Sequence, residues 1–317
     1  MIKLKAWISA ARLRTLPLSI SGIIVGASLF NENYLNSISY TGATIENEIP
    51  HFFTTVIFWL AIGTTLGLQI LSNFANDYGD GVKGTDNEDR VGPLRAIQSG
   101  ILSTAEMKIG IICTSLITLA LALLLIYTAF GKENFLYSII FFLLGLLAIT
   151  AAIKYTVGNV AYGYRGLGDV FVFIFFGLVS VVGTFFLFSK AISIEVFLPA
   201  IAIGLLSTAV LNLNNMRDYF GDKKAGKNTF VVKVGLSNAK KYHYLLILVA
   251  LLSLTLHFFL TITNSREALF FLAFIPLLVH IFKVYKIENT MILDPELKKV
   301  ALSTFFVAIL FSLGQIL

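Results

Sequence analysis

Cysteine and charge are both scarce in this chain. Cys113 is the only cysteine among 317 residues and falls inside a long apolar run, which excludes an internal disulfide and a thiolate metal cluster. Charged residues make up 13% of the chain against 57% hydrophobic, and the mean hydropathy is +0.84. A water-soluble domain of that composition would aggregate. His51, His243, His257 and His280 show no ligand spacing and read as packing or interface residues. Neither a Walker glycine loop nor a GxGxxG after a strand is present, so nucleotide binding has no support. No nucleic-acid partner is expected either.

What the chain does contain is apolar length. Nine runs are long enough, or nearly so, to cross about 30 Å of hydrocarbon. They cover residues 16–30, 52–72, 109–130, 135–153, 170–188, 196–213, 244–262, 268–285 and 300–317, and residues 7–11 can extend the short first one. The basic N-terminus before an apolar run imitates a secretory signal, but the membranous chain that follows favours an uncleaved first helix. The expectation is an all-α integral membrane protein, with nine transmembrane helices in one domain spanning residues 1–317.

Loop charges orient the bundle. With the N-terminus and every second loop on one side, that side collects 21 of the 24 Lys and Arg residues, leaving Lys132, Lys190 and Arg266 for the other. Positive residues are retained in the cytoplasm during insertion, so the N-terminus is expected to be cytoplasmic and the C-terminus external. This retention also accounts for most of the net charge of +6 without any ligand. Membrane lipid is the surrounding partner.

Two polar stripes stand out against this background. Asn73, Asn76, Asp77 and Asp80 follow i, i+3, i+4, i+7, and Asn214, Asp218 and Asp222 follow i, i+4, i+8, so a helix continuing out of each preceding span would carry each set on one face. Carboxylates at the mouth of a membrane helix repel one another and lose hydration unless a cation or polar ligand lies between them. Both stripes fall on the cytoplasmic side, which implies a shared site for a metal and a polyanion. Lys83, Arg90, Arg95, Arg217, Lys223, Lys224 and Lys227 are interleaved with the acids, where a phosphate would also take direct cationic contacts. Lys3, Lys5, Lys283 and Lys286 need no reading beyond topology.

The stripes also divide the chain. Spans two and six each end in an Asn and Asp stripe followed by a cytoplasmic loop of about 30 residues. An even number of spans separates them, so the bundle is expected to comprise two pseudo-repeated halves related by an axis along the membrane normal. Ser103 with Glu106 reads as a capping box that opens span three.

The first loop, NFANDYGDGVKGTDNEDRVGPLRAIQSG, and the second, NLNNMRDYFGDKKAGKNTFVVKVG, resemble the two aspartate-rich loops of the UbiA superfamily of intramembrane aromatic prenyltransferases. NDYGD, VKG, DR, GPLR, GKNT, the YRGLGD run and the ARLRTLP entry to span one are similar to its menaquinone-pathway branch, which prenylates 1,4-dihydroxy-2-naphthoate. The resemblance covers residues 11–235 in blocks. It implies a UbiA-like bundle in the bacterial cytoplasmic (inner) membrane, with polyprenyl diphosphate and 1,4-dihydroxy-2-naphthoate as substrates, Mg²⁺ as cofactor, and demethylmenaquinone, carbon dioxide and diphosphate as products. It further implies that Asn76, Asp80, Asn214 and Asp218 are catalytic and that Asp77, Asp80, Asp86, Asp218 and Asp222 face metal. Lys83, Arg90, Arg95, Arg217 and Lys227 would contact diphosphate, and Arg12, Tyr155, Tyr164 and Arg165 the acceptor. One departure is that Gly84 stands four residues after Asp80, and the next acid is Asp86. Interfacial anchoring is the competing reading of the tyrosines.

The chemistry suits these residue types. Mg²⁺ binds through one or two carboxylates plus substrate phosphate oxygens, so two separated acidic patches gripping one diphosphate serve it better than a closed cage. Metal, Lys and Arg stabilise charge building on the departing diphosphate, and an apolar enclosure keeps water from the allylic cation. Other aromatic acceptors such as 4-hydroxybenzoate would share this site. A transporter is the rival from another class, but its acids belong at mid-membrane, whereas here the span centres are nearly free of charge. The topology is checked directly: a reporter fused after Leu317 is expected to behave as external and one inserted near Asn228 as cytoplasmic, and finding both on one side overturns the nine-span arrangement.

Overall fold

The computed structural model describes residues 2–41, 51–84 and 95–317, with side chains described from 2–30 in the first segment. Among the described residues nine helical stretches are long and apolar enough to cross a membrane, as the hydropathy runs predict. Helix is the form such segments must take, because a backbone amide without a partner in hydrocarbon costs several kcal/mol. The helices are α1 (Ile2–Ala11), α2 (Leu16–Thr41), α3 (Val56–Lys83), α4 (Thr104–Phe130) and α5 (Phe135–Lys154). After these come α6 (Gly168–Val172), a π-helical segment (Phe173–Val182), α7 (Gly183–Ser189), α8 (Phe197–Arg217) and α9 (Tyr219–Lys224). The chain ends with α10 (Phe230–Thr261), α11 (Phe274–Lys286) and α12 (Asp294–Ile316).

The expected capping box is present: Ser103 Oγ accepts the Glu106 amide at 3.2 Å and Glu106 Oε2 accepts the Ser103 amide at 2.9 Å. Residues 7–11 do extend the first span, which runs from Ile2 to Phe30, through an elbow: Arg12 adopts φ 50, ψ 58 and Leu13–Thr15 forms a 3-10 turn between α1 and α2. One expectation needs correction: the second polar stripe is not carried on an uninterrupted helix. α8 ends at Arg217, Asp218 sits at φ −90, ψ 6, and the short α9 follows.

α8 is the central element, packed against α10, the π segment and α12, and its residues Ala200, Ile203, Leu206, Ala209 and Leu213 have no exposure. α12 packs on α2, and α3 on α4 and α5. Leu116, Ile117, Phe135, Leu136 and Phe259 project outward, as lipid-facing side chains should. Small residues set the closest approaches. A Cβ added at Gly177 would lie 2.6 Å from the Ala200 carbonyl oxygen and 2.7 Å from Gly204 Cα. The π segment, wider per turn than an α-helix, is therefore seated backbone to backbone against α8.

Between these elements lies a cavity of about 700 Å³. Arg12, Asn76, Asp80 and Asn214 line one end, and Ala61, Ile126, Phe141 and Thr184 line the rest. Along α3 it runs from Ala61 to Asp80, roughly 28 Å at 1.5 Å per residue. Gly177→Val should cost about 1–3 kcal/mol by overpacking the helix crossing and lower the thermal unfolding midpoint in detergent. Gly183→Ala, where an added Cβ meets nothing within 4 Å, should leave the midpoint unchanged or raise it.

Candidate active site

The last three turns of α3 supply the first patch. Asn73 is buried and its amide donates to the Ala11 carbonyl at 2.9 Å and to Thr15 Oγ1 at 3.3 Å, so it fastens α3 to the elbow. Asn76 lines the cavity and its Oδ1 accepts from Thr156 Oγ1 at 3.1 Å. Asp77, 1% exposed, accepts from Arg12 Nη2 at 2.5 Å and Arg95 Nη1 at 3.2 Å. The sequence placed Asp77 among the metal-facing acids; the structure places it between two guanidinium groups. Asp80, 2% exposed, pairs with Arg95 Nη2 at 3.0 Å and accepts the Tyr164 hydroxyl at 2.6 Å.

The second patch is organised by one arginine. Arg217, 2% exposed, donates from Nε to Asp218 Oδ1 at 2.8 Å and from Nη2 to Asp218 Oδ2 and Asn214 Oδ1, both at 2.9 Å. Its Nη1 donates to Asp294 Oδ1 at 2.5 Å. The sequence read Arg217 as a diphosphate contact, but this fork is engaged within the protein. Such a bidentate clamp fixes the plane of the Asp218 carboxylate as well as its charge.

The two patches meet across Lys227. Its Nζ lies 4.0 Å from Asp80 Oδ2 and 3.8 Å from Asp222 Oδ1. Burial pushes the Asp222 carboxyl up to about 6 despite Lys227, with Asp218 and Asp80 adding to the rise. A carboxylate so placed is short of positive charge. Lys83 Nζ donates to the Thr156 carbonyl at 2.8 Å and stands 3.8 Å from the Tyr164 ring centroid.

The segment between α5 and α6 closes the mouth. Tyr155 and Tyr162 line the cavity with ring centroids 5.3 Å apart, edge to face. Burial first, and then Asp169, holds the Tyr155 hydroxyl far above the ordinary phenol range, so it stays a hydrogen-bond donor. Burial raises Tyr162 as well, and its hydroxyl donates to the Ala151 carbonyl at 2.8 Å. Tyr164, expected to touch an acceptor, instead turns its hydroxyl to Asp80. Arg165 is exposed, is absent from the cavity lining, and offers only its carbonyl to Lys233 Nζ at 2.6 Å. Asp86 and Arg90 lie outside the described residues.

Sequence reasoning missed Asp294 and Thr156. Asp-Pro-Glu at the head of α12 looks like an ordinary acidic helix start, and no local pattern ties it to Arg217. Among the described residues no three Asp, Glu, His or Cys side chains converge on a single ion position. The donor set is nonetheless one of hard oxygens from two sides, and it suits a small divalent ion that completes its shell with phosphate.

The UbiA prenyltransferase family profile matches residues 38–310. The chain is 42% identical over 315 residues to the 1,4-dihydroxy-2-naphthoate octaprenyltransferase of Haemophilus influenzae, covering 99% of this chain and 97% of the relative. It is 40% identical to the protein of the same name from Escherichia coli, covering 98% and 94%. A structure of a UbiA homolog from Archaeoglobus fulgidus bound to DMAPP and Mg²⁺ superposes with a TM-score of 0.60 over 97% of this chain and 99% of that one; at 17% identity the likeness is one of fold. A match over most of the length, together with relatives at this level of identity, shows that the chain belongs to the UbiA prenyltransferase family.

Proposed function

We propose that this protein transfers a polyprenyl group from polyprenyl diphosphate to 1,4-dihydroxy-2-naphthoate, releasing diphosphate and carbon dioxide and giving demethylmenaquinone, first as its quinol. The observation that carries the reading is the meeting of Asp80 and Asp222 across Lys227 at the polar end of a long apolar cavity. The names of relatives matched over nearly the whole chain supply the acceptor. Residues from α1 to α12 build the cavity and its mouth, which supports a single unit over residues 1–317. The loop charges support this mouth facing the cytoplasm, and the bacterial origin of the relatives supports an inner-membrane setting.

In this reading Asp80, Asp218 and Asp222, with Asn76 and Asn214, would hold Mg²⁺. When bound, Mg²⁺ supplies charge stabilisation to the departing diphosphate. Lys227, Lys83 and Arg95 would add direct cationic contacts. Asp77 orients Arg12 and Arg95 rather than serving as a ligand. Arg12 faces the cavity and suits the acceptor's carboxylate, while Tyr155, kept protonated, can donate to a ring oxygen. The allylic C1–O bond breaks with its electrons leaving on diphosphate, and the electron-rich ring forms the new bond to C1. When the carboxyl-bearing carbon makes that bond, the carboxylate leaves as carbon dioxide, its bonding pair returns to the ring and restores aromaticity, and the neighbouring carbon keeps its hydrogen. Phe171, Phe175 and Phe176 wall the cavity, exclude water and present ring faces to the cation.

Asp80→Asn and Asp218→Asn should each lower kcat by about two orders of magnitude or more, as expected when charge is removed from transition-state stabilisation, with the protein still inserted. EDTA should abolish turnover and Mg²⁺ restore it, and full activity without metal overturns this mechanism. Tyr164→Phe removes one hydrogen bond to a charged group, worth about 1.5–3 kcal/mol, and should lower kcat/KM by about one to two orders of magnitude. The acceptor is decided with carboxyl-labelled naphthoate: one carbon dioxide should appear per diphosphate released. Label retained on the prenylated ring, or a clear preference for 4-hydroxybenzoate, overturns the acceptor and leaves the metal site standing.

A further inference from the structure

Two runs of alternating charge cross the site, and both begin on the elbow between α1 and α2. The first passes from Arg12 to Asp77 at 2.5 Å, from Asp77 to Arg95 at 3.2 Å and from Arg95 to Asp80 at 3.0 Å. The second passes from Arg14 to Asp294 at 3.4 Å, from Asp294 to Arg217 at 2.5 Å and from Arg217 to Asp218 at 2.8 Å. Each run alternates Arg, Asp, Arg, Asp. Each ends on a carboxylate assigned above to the metal, one in either patch.

The elbow that starts both runs is itself held in an uncommon conformation. Arg12 has φ 50, a left-handed backbone that a non-glycine residue adopts only when its surroundings fix it. Those surroundings are present: the Arg12 carbonyl accepts from the Thr15 amide and hydroxyl, each at 2.9 Å, and the Ala11 carbonyl accepts from Asn73. The side chains of Arg12 and Arg14, two residues apart, thus reach toward the two patches.

The middle acids differ in origin. Asp77 lies one turn from Asp80 on α3, whereas Asp294 opens α12, 77 residues from Arg217 and 280 from Arg14. The simple reading of Asp294 is an acid that complements the N-terminal end of its helix. Against it, both carboxylate oxygens are taken by guanidinium groups, Oδ1 by Arg217 and Oδ2 by Arg14. We propose that Asp294 and Arg14 are positioning residues: Asp294 fixes the Arg217 guanidinium, whose fork fixes Asp218, and the elbow holds Asp80 and Asp218 at one spacing. The inference rests on the reading of those two acids as metal-binding.

Mn²⁺ titration followed by electron paramagnetic resonance reads this directly, with the full chain in detergent and an unreactive prenyl thiolodiphosphate present. Asp294→Asn should weaken Mn²⁺ binding about tenfold and Arg14→Ala about threefold. Asp294→Glu should return within about threefold of wild type, and the double variant should be no worse than Asp294→Asn. The Mg²⁺ concentration for half-maximal turnover should shift in parallel while KM for the naphthoate stays within about twofold. If Asp294→Asn does not fold, the half-exposed Arg14 still carries the test, because Arg14→Ala removes no buried contact. Mn²⁺ binding by folded variants within experimental error of wild type overturns the inference alone. Wild-type protein that holds no Mn²⁺ overturns the metal reading and this inference with it.

Discussion

A carboxylate buried at the end of a membrane helix loses hydration worth several kcal/mol, and Asp77 and Asp80 carry that loss one turn apart on the same face of α3. Like charges so close raise the cost further. What makes the pair tolerable is Arg95, whose two terminal nitrogens reach one acid each, with Arg12 and the Tyr164 hydroxyl closing the remaining sides. Arginine suits this role because its planar fork engages two acceptors at once and stays charged wherever it is placed. The second patch solves the same problem with Arg217 between Asp218 and Asp294.

These pairings dictate much of the backbone around them. Arg12 can reach Asp77 only if α1 and α2 break at the elbow, so a strained residue sits where a straight span would be simpler. Tyr164 can reach Asp80 only if the segment after α5 lies close over α3. Gly79 permits that approach, since an added Cβ there would stand 2.7 Å from Thr156 Oγ1. The Thr156 hydroxyl then bonds the Ala75 carbonyl and Asn76, and its own carbonyl holds Lys83. Small residues and backbone carbonyls thus build the frame, and the charged groups settle within it.

The spans and the cap at Ser103 were legible because both are local: hydropathy needs only a window of neighbours, and a capping box needs four residues. The acids of both patches were legible as periodic polar positions. Their partners were not. Periodicity says that Asp77 and Asp80 share a face, but it cannot say that Asp77 takes Arg12 while Asp80 takes the Tyr164 hydroxyl, because those partners arrive from 65 and 84 residues away. The break at Asp218 has no glycine or proline to announce it; the chain turns where Arg217 grips the following carboxylate. Arg165 shows the opposite case, adjacent to Tyr164 in sequence but exposed, while the Tyr164 hydroxyl turns to Asp80.

Charge balance also explains why a site this acidic can await its substrate without collapsing. Lys227 stands between Asp80 and Asp222, so one ammonium partly satisfies two carboxylates, and Asp222 remains short of compensation. In the proposed reaction the diphosphate would bring anionic oxygens to these same side chains, and a divalent cation would supply positive charge. Lys227 need not leave: its ammonium, within 4.0 Å of both acids, could also contact a phosphate oxygen. The same residue would then serve both acidic patches and the diphosphate, and the charged groups stay at the polar end of the cavity.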